Sequence, residues 1–348
     1  MNSNSLYYGD YLQLHKILDA QSPVSFTHKD SHAHDEMLFI VIHQAYELWF
    51  KQILHETYSA IDIFKQPTIN DNTPELQLVV HRLQRCVSIL KVLVQQIDIM
   101  ETMTPMDFLD FRDMLRPASG FQSWQFKELE ALLGLRYEDR YGQEYYISQL
   151  RTKEIDIIRH AESQQSLMSL VNIWLKRMPF FDTAKGWEEF NITSSSHIHP
   201  YWNTYRNCYR ESLADAESSH LTSFDKLFLS DDDETANGRQ LHPKACRAAL
   251  FIMLYRGYPL LHLPFQLLNT LLEIDEQLST WRYRHWNMVQ RIIGSRIGTG
   301  GSTGGDYLQK ALLSHSIFKE IAALTSFLIE RKKLPALPDK VIDKLGFK

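Results

Sequence analysis

Glycine is scarce in this chain and unevenly placed. There are 14 in 348 residues, and six of them fall between Gly294 and Gly305. Average usage is about 7%, so the rest of the chain is poor in a residue that weakens helices. Proline, the stronger breaker, is also sparse at 12. A chain of this kind can build long helices, and its apolar residues recur at three- and four-residue intervals. No segment shows the strict alternation of a half-buried strand, and no internal repeat runs at a fixed period. The expected fold is therefore all-α, with residues 1–348 forming one domain.

The helices can be placed from their ends. Residues 1–33 read as an extended arm with a short helix, punctuated by Tyr7, Tyr8 and Tyr11. Asp35 and Glu36 suit the start of a helix reaching about Phe64, because acidic side chains favour the positive end of the helix dipole. Pro74 fits the first turn of a second helix. Thr104-Pro105-Met106-Asp107 marks a fresh start, with Thr as cap and a carboxylate three residues on. Pro117 ends that helix, and PASGFQS forms a loop. Further helices are expected over 124–134, roughly 144–178, 200–228, 243–256, 265–293 and 315–332. Residues 183–199, the acidic run DDDETANGRQ and the glycine-rich 298–305 read as loops.

Composition excludes several functions. Apolar residues make up 44% and charged residues 23%, enough for a large core and against global disorder. The net charge of −5 argues against a nucleic-acid binder. Cys86, Cys208 and Cys246 are far apart with no CxxC pair, which speaks against a disulfide scaffold or structural zinc. The N-terminus lacks the basic and apolar regions of a signal peptide. No apolar run approaches the roughly 18 residues of a membrane span. A soluble, cytoplasmic protein is expected.

Four places could carry chemistry. On the helix over 265–293, Leu271, Ile274, Leu278, Trp281, His285, Met288, Val289 and Ile292 share one face. His285 in that stripe is either a core histidine bonded to a backbone carbonyl or an axial ligand to haem iron. His43 stands among Phe39, Tyr46 and Phe50 with the same two readings. Arg112 has Phe108, Leu109, Leu115 and Arg116 at helical neighbour positions. None is acidic, so it needs a distant carboxylate or an anionic ligand. The run Gly298–Gly305 lacks the closing GK[ST] of a Walker A loop and the spacing of a Rossmann fingerprint. It is a surface loop or a flap that orders over a ligand. His32-x-His34 and His197-x-His199 are weak metal candidates without acidic or thiol partners. Neither HExxH nor GxSxG occurs.

Four long strings in order carry a resemblance: YGDYLQLHKILDAQ at 8–21, HDEMLFIVIHQAYELWFKQILHE at 34–56, ETMTPMDFLDFRDMLRPASGFQSWQFKELE at 101–130 and PFQLLNTLLEIDEQLSTWRYRHWNMVQRIIGSRIGTGGSTGGDYL at 264–308. Together they resemble the tryptophan 2,3-dioxygenase family. The resemblance implies an all-α fold of long helices enclosing haem b, one per subunit, assembled as a homotetramer. It implies a dioxygenase that opens the indole C2=C3 bond of L-tryptophan with O2, giving N-formyl-L-kynurenine, the first step of tryptophan degradation by the kynurenine pathway. Partners would be L-tryptophan, O2 and further copies of the chain, with no nucleic acid and no membrane.

The same resemblance assigns residues. His285 matches the proximal haem ligand, with Ser119 and Gly120 beside the haem edge. His43 matches the distal histidine that hydrogen-bonds the indole N–H. Phe39, Ile40, Val41 and Ile42 precede it in the substrate-binding run. Arg112 matches the residue holding the substrate carboxylate, with Phe108 one turn before it. Thr299 matches a flap residue at the substrate's polar end. Tyr8, Tyr11 and Leu12 match an arm, within residues 1–33, that reaches a neighbouring subunit's pocket. Asp306 and His15 depart from the family pattern. Two rivals share much of this constellation: a related haem monooxygenase acting on an indole, and a non-catalytic haem-binding helical protein with both histidines on the iron.

Overall fold

The computed structural model describes residues 6–27, 32–69, 72–178, 187, 199–229, 238–294, 296 and 304–346. Among them the regular structure is helical throughout, with no sheet. Two short helices, α1 (Tyr8–Tyr11) and α2 (Leu14–Ile17), precede the long α3 (Asp35–Phe64) and α4 (Pro74–Met100). Then come α5 (Pro105–Arg112), α6 (Trp124–Leu133), α7 (Thr152–Ser163) and α8 (Leu167–Lys176). The second half holds α9 (Tyr201–Ser212), α10 (Ser219–Phe228), α11 (Pro243–Leu254) and α12 (Pro259–Ile292). It closes with α13 (Gly304–Ser314), α14 (Lys319–Ala323) and α15 (Asp339–Leu345).

The predicted helix starts at Asp35, Pro74 and Thr104 coincide with those observed. Thr104 and Asp107 form a reciprocal capping box: the Asp107 N–H donates to Thr104 Oγ1 at 3.3 Å, and the Thr104 N–H donates to Asp107 Oδ2 at 2.8 Å. Two expectations need correction. The long helix over 144–178 is divided, because the Ser166 hydroxyl accepts the Ser169 N–H and caps a new helix, α8. The helices expected over 200–228 are present as α9 and α10, which meet at Leu213–Ser218. The helix over 315–332 is confined to α14, followed by 3-10 turns at Leu324–Phe327 and Arg331–Lys333. The physical reason lies on α12. The buried Asp275 carboxylate accepts the N–H groups of Ile317 and Phe318 and the Ser316 hydroxyl, which sets where this segment turns.

The core is built on α12 packed along α4, with α4 in turn packed along α3. One cluster of buried side chains runs from Phe50 to Leu345, and includes Leu83, Leu90, Leu267, Leu271 and Phe251. A second cluster joins Ile42, Ile97, Met100, Phe108, Phe111 and Met288 beside the ends of α4 and α12. Carboxylates on helices hold the adjoining loops. Glu36 accepts the N–H groups of Val24 and Ser25, and Glu320 those of Gln240 and Leu241. All three cysteines are free thiols. Among the described residues no helix is long and apolar enough to cross a membrane.

Candidate active site

A cavity of about 680 Å³ opens between the two core clusters, bounded by residues of α3, α4, α5, α6, α12 and α13. Its size is that of a small-molecule or cofactor site. The apolar stripe expected on α12 is present. Leu271, Ile274, Leu278 and Met288 are buried, while Trp281, His285, Val289 and Ile292 line the cavity. Phe39 and His43 reach the same cavity from α3, and Phe108 from α5. Sequence could not say whether the two histidines share a space; the fold brings both to one.

His285 stacks on the Trp281 ring, 5.1 Å between centroids and nearly parallel at 6°. Its Nδ1 is buried and has no hydrogen-bond partner among the described residues. Burial pushes its pKa down to about 4, and the neighbouring His43 acts in the same direction. The ring is therefore neutral at ordinary pH. His43 is also held below its ordinary 6.5, chiefly by burial, against the opposing effects of the Phe39 carbonyl and Glu47. Its Nδ1 lies 2.7 Å from the Phe39 carbonyl oxygen. That oxygen only accepts, so Nδ1 carries the hydrogen and Nε2 of the neutral ring keeps a lone pair. Phe39 packs on the His43 ring at 4.1 Å and against Phe111 and Phe108 at 5.6 and 5.9 Å.

The other expected residues are placed differently. Ser119 and Gly120 line the cavity. Ile40, Val41 and Ile42 do not, because five consecutive helical residues cannot face one side. Ile42 is buried in the second cluster, and Val41 is 45% exposed. Arg112 is buried at the end of α5, one turn beyond Phe108, and is not among the lining residues. Tyr8 and Tyr11 are exposed and Leu12 half-buried, away from this chain's own cavity lining. Thr299, His197 and the Asp306 side chain lie outside the described residues. Among the described residues, no group of three or more His, Cys, Asp or Glu is placed to hold a metal ion.

Sequence reading missed the polar end of the cavity. Lys127 and Glu130 of α6, Arg140, Arg282 of α12 and His315 all line it. Glu130 receives Arg140 at 2.8 Å, Arg282 at 2.7 Å and His315 Nδ1 at 3.3 Å. Burial alone would raise its pKa, but His315 and the two guanidiniums outweigh that and hold it well below the carboxylate range. The Tyr141 N–H donates to His315 Nε2, so His315 Nδ1 carries the proton directed at Glu130. The one sequence signal was Lys127 with Glu130 in the helix 124–134, a spacing that reads as a solvated surface pair. Their partners lie too far along the chain to be paired by pattern.

The sequence profile of the family described as tryptophan 2,3-dioxygenase matches residues 1–328. A tryptophan 2,3-dioxygenase of Alteromonas mediterranea is 44% identical, over 99% of this chain and 98% of its own length. Another from Bdellovibrio bacteriovorus is 42% identical, over 98% of each chain. The chain belongs to the tryptophan 2,3-dioxygenase family. A eukaryotic member of that family, from Dictyostelium discoideum, is 40% identical over 98% of this chain and 88% of its own. The family match spans every candidate residue above. It stops before α15, whose Val341 and Leu345 nevertheless join the main core.

Proposed function

We propose that this chain is a haem-dependent dioxygenase that converts L-tryptophan and O2 to N-formyl-L-kynurenine, opening the kynurenine route of tryptophan degradation. The observation that carries the reading is His285, a neutral imidazole with an orphaned buried Nδ1, sharing one largely apolar cavity with His43 in a chain whose family match covers residues 1–328. These residues fit haem b, one per subunit. A neutral imidazole on a rigid helix is a usual proximal ligand, and the Trp281 stack fixes the ring plane. Haem, when bound, supplies the iron centre at which O2 is activated.

The protein side of the chemistry is positioning. His43 Nε2 accepts the indole N–H, which needs no proton transfer. Phe39 and Phe108 pack on the indole. Arg112 takes the substrate carboxylate as a planar, bidentate donor, with Thr299 at the substrate's own polar end. These contacts together hold the C2=C3 bond in reacting geometry. Both oxygen atoms enter the product, so no external reductant is consumed per turnover. The apolar wall of α4 and α12 excludes water. Ser119 and Gly120, which line the cavity, would border a bound haem. The working assembly is a homotetramer, each chain one domain whose residues 1–33 place Tyr8, Tyr11 and Leu12 at a neighbour's site. Exposed Tyr8 and Tyr11 support that arrangement, and three free cysteines suit a reducing cytoplasm.

The test is direct. The protein is loaded with haem, reduced without oxygen, mixed with L-tryptophan and then given O2, while formylkynurenine absorbance is followed. Five-coordinate ferrous iron that binds carbon monoxide and turns over supports the enzyme; six-coordinate low-spin iron without product rejects it. His285→Ala should lose stable haem binding while keeping its helical circular dichroism. Full haem occupancy with an unchanged spectrum would remove the proximal assignment.

A further inference from the structure

Glu130 is saturated by two arginines and a histidine, which leaves a cation over at the polar end of the cavity. Lys127 is 7% exposed and lines that cavity. Its ammonium donates to the Phe121 carbonyl, and among the described residues no carboxylate lies within ion-pairing distance of it. Of the two nearby acids, Glu130 is committed as described, and Glu47 accepts the Gln125 side chain at 2.7 Å. One turn before Lys127, Ser123 also lines the cavity. It stands at the N-cap position of α6, yet its hydroxyl caps nothing and is buried without a partner. The first-turn N–H groups of this ten-residue helix therefore lack a side-chain acceptor. A buried ammonium, an unused hydroxyl and a helix N-terminus on one side of an apolar cavity form a seat for an anion.

We infer that Lys127 and Ser123 form the seat for a propionate carboxylate of the cofactor. The inference rests on the haem reading above. A haem is apolar except for its propionates, so one pole of its pocket must meet carboxylate, and this is the pole with surplus positive charge. The Lys127 ammonium then makes a charge-assisted hydrogen bond to the propionate, and the Ser123 hydroxyl donates a second. Burial lowers the Lys127 pKa to about 8, so the group remains mainly protonated at neutral pH. In this role Lys127 is a cofactor-anchoring residue with no part in the chemical step.

The test uses the apoprotein titrated with ferric haem and, separately, with its dimethyl ester, following the Soret band. Wild type should bind haem about tenfold or more tightly than the ester. Lys127→Met should lose about tenfold in haem affinity and leave ester affinity unchanged within about twofold. Lys127→Arg should keep haem affinity near wild type, and Ser123→Ala should lose a smaller factor of about three. Equal losses for haem and ester in Lys127→Met would make Lys127 a packing residue and overturn the inference. So would unchanged haem affinity accompanied by a raised KM for tryptophan, which would assign the seat to the substrate. If Lys127→Met loses its circular dichroism, Ser123→Ala and Lys127→Arg decide through the same haem-to-ester ratio. If wild type takes up neither compound, the haem reading itself falls.

Discussion

At the scale of single residues, the proposed function depends on neutral imidazoles and one buried guanidinium. In its proposed role His43 accepts one hydrogen bond from a neutral N–H, worth about 0.5–1.5 kcal/mol net. His43→Ala should therefore keep its haem and lose about tenfold or less in kcat/KM. Its folded pKa lies below 6.5, and the working form is neutral. Wild-type activity should thus fall only as pH drops below that value, and this acid limb should vanish in His43→Ala. Complete loss of turnover with intact haem would give His43 a larger role. Arg112 calls for a different measurement. Lysine lacks the planar fork, so Arg112→Lys should be impaired. Tryptamine has no carboxylate, so it should be a poor substrate for wild type and lose little more in Arg112→Ala. A cycle of two substrates and two proteins, read as kcat/KM, decides this. Equal losses for both substrates would make Arg112 a structural cation.

At the scale of elements, α5 is a short helix that carries two of the proposed substrate contacts, Phe108 and Arg112. It has only eight residues, too few to hold a helix by propensity alone. Its start is fixed by the Thr104–Asp107 capping box and its inner face by Phe108 and Phe111. Thr104→Ala should cost about 1 kcal/mol, seen as a lower Tm. Because α5 carries both Phe108 and Arg112, the same variant should raise KM for tryptophan more than it lowers kcat. A lower Tm with unchanged KM would show that packing alone positions the helix. By contrast α12, thirty-four residues long and packed along α4, should tolerate such a change at its ends.

At the scale of the whole molecule, the exposed arm has no covering in a single chain. Tyr7, Tyr8 and Tyr11 are each about 70% exposed, and three such rings in a short polar segment mark a contact surface. Removal of residues 1–12 should raise KM sharply and weaken the proposed tetramer, as sedimentation velocity and a substrate titration would report. A truncated protein that stays tetrameric with unchanged KM would separate the arm from the site. A fully active monomer would contradict the assembly.

Much of this is legible in the amino-acid sequence alone. Local helix chemistry placed the starts at Asp35, Pro74 and Thr104, because caps and first-turn prolines act within a few residues. The apolar stripe on α12 and the His43 surroundings were legible for the same reason: helical spacing puts neighbours on one face. The resemblance in four long strings then named the family. The divided helices near Ser166 and Ser316 were less legible, since a hydroxyl cap and a carboxylate from a distant helix overrode continuous periodicity. The polar end of the cavity was not legible at all. Glu130 meets Arg282 across 152 positions in sequence and His315 across 185, and no local spacing encodes such a meeting. Short-range order follows from the backbone and its nearest side chains, so the sequence determined it. Which buried charges neutralise one another, and which cation is left over, depends on helices docking from opposite ends of the chain, and only the tertiary structure decided that.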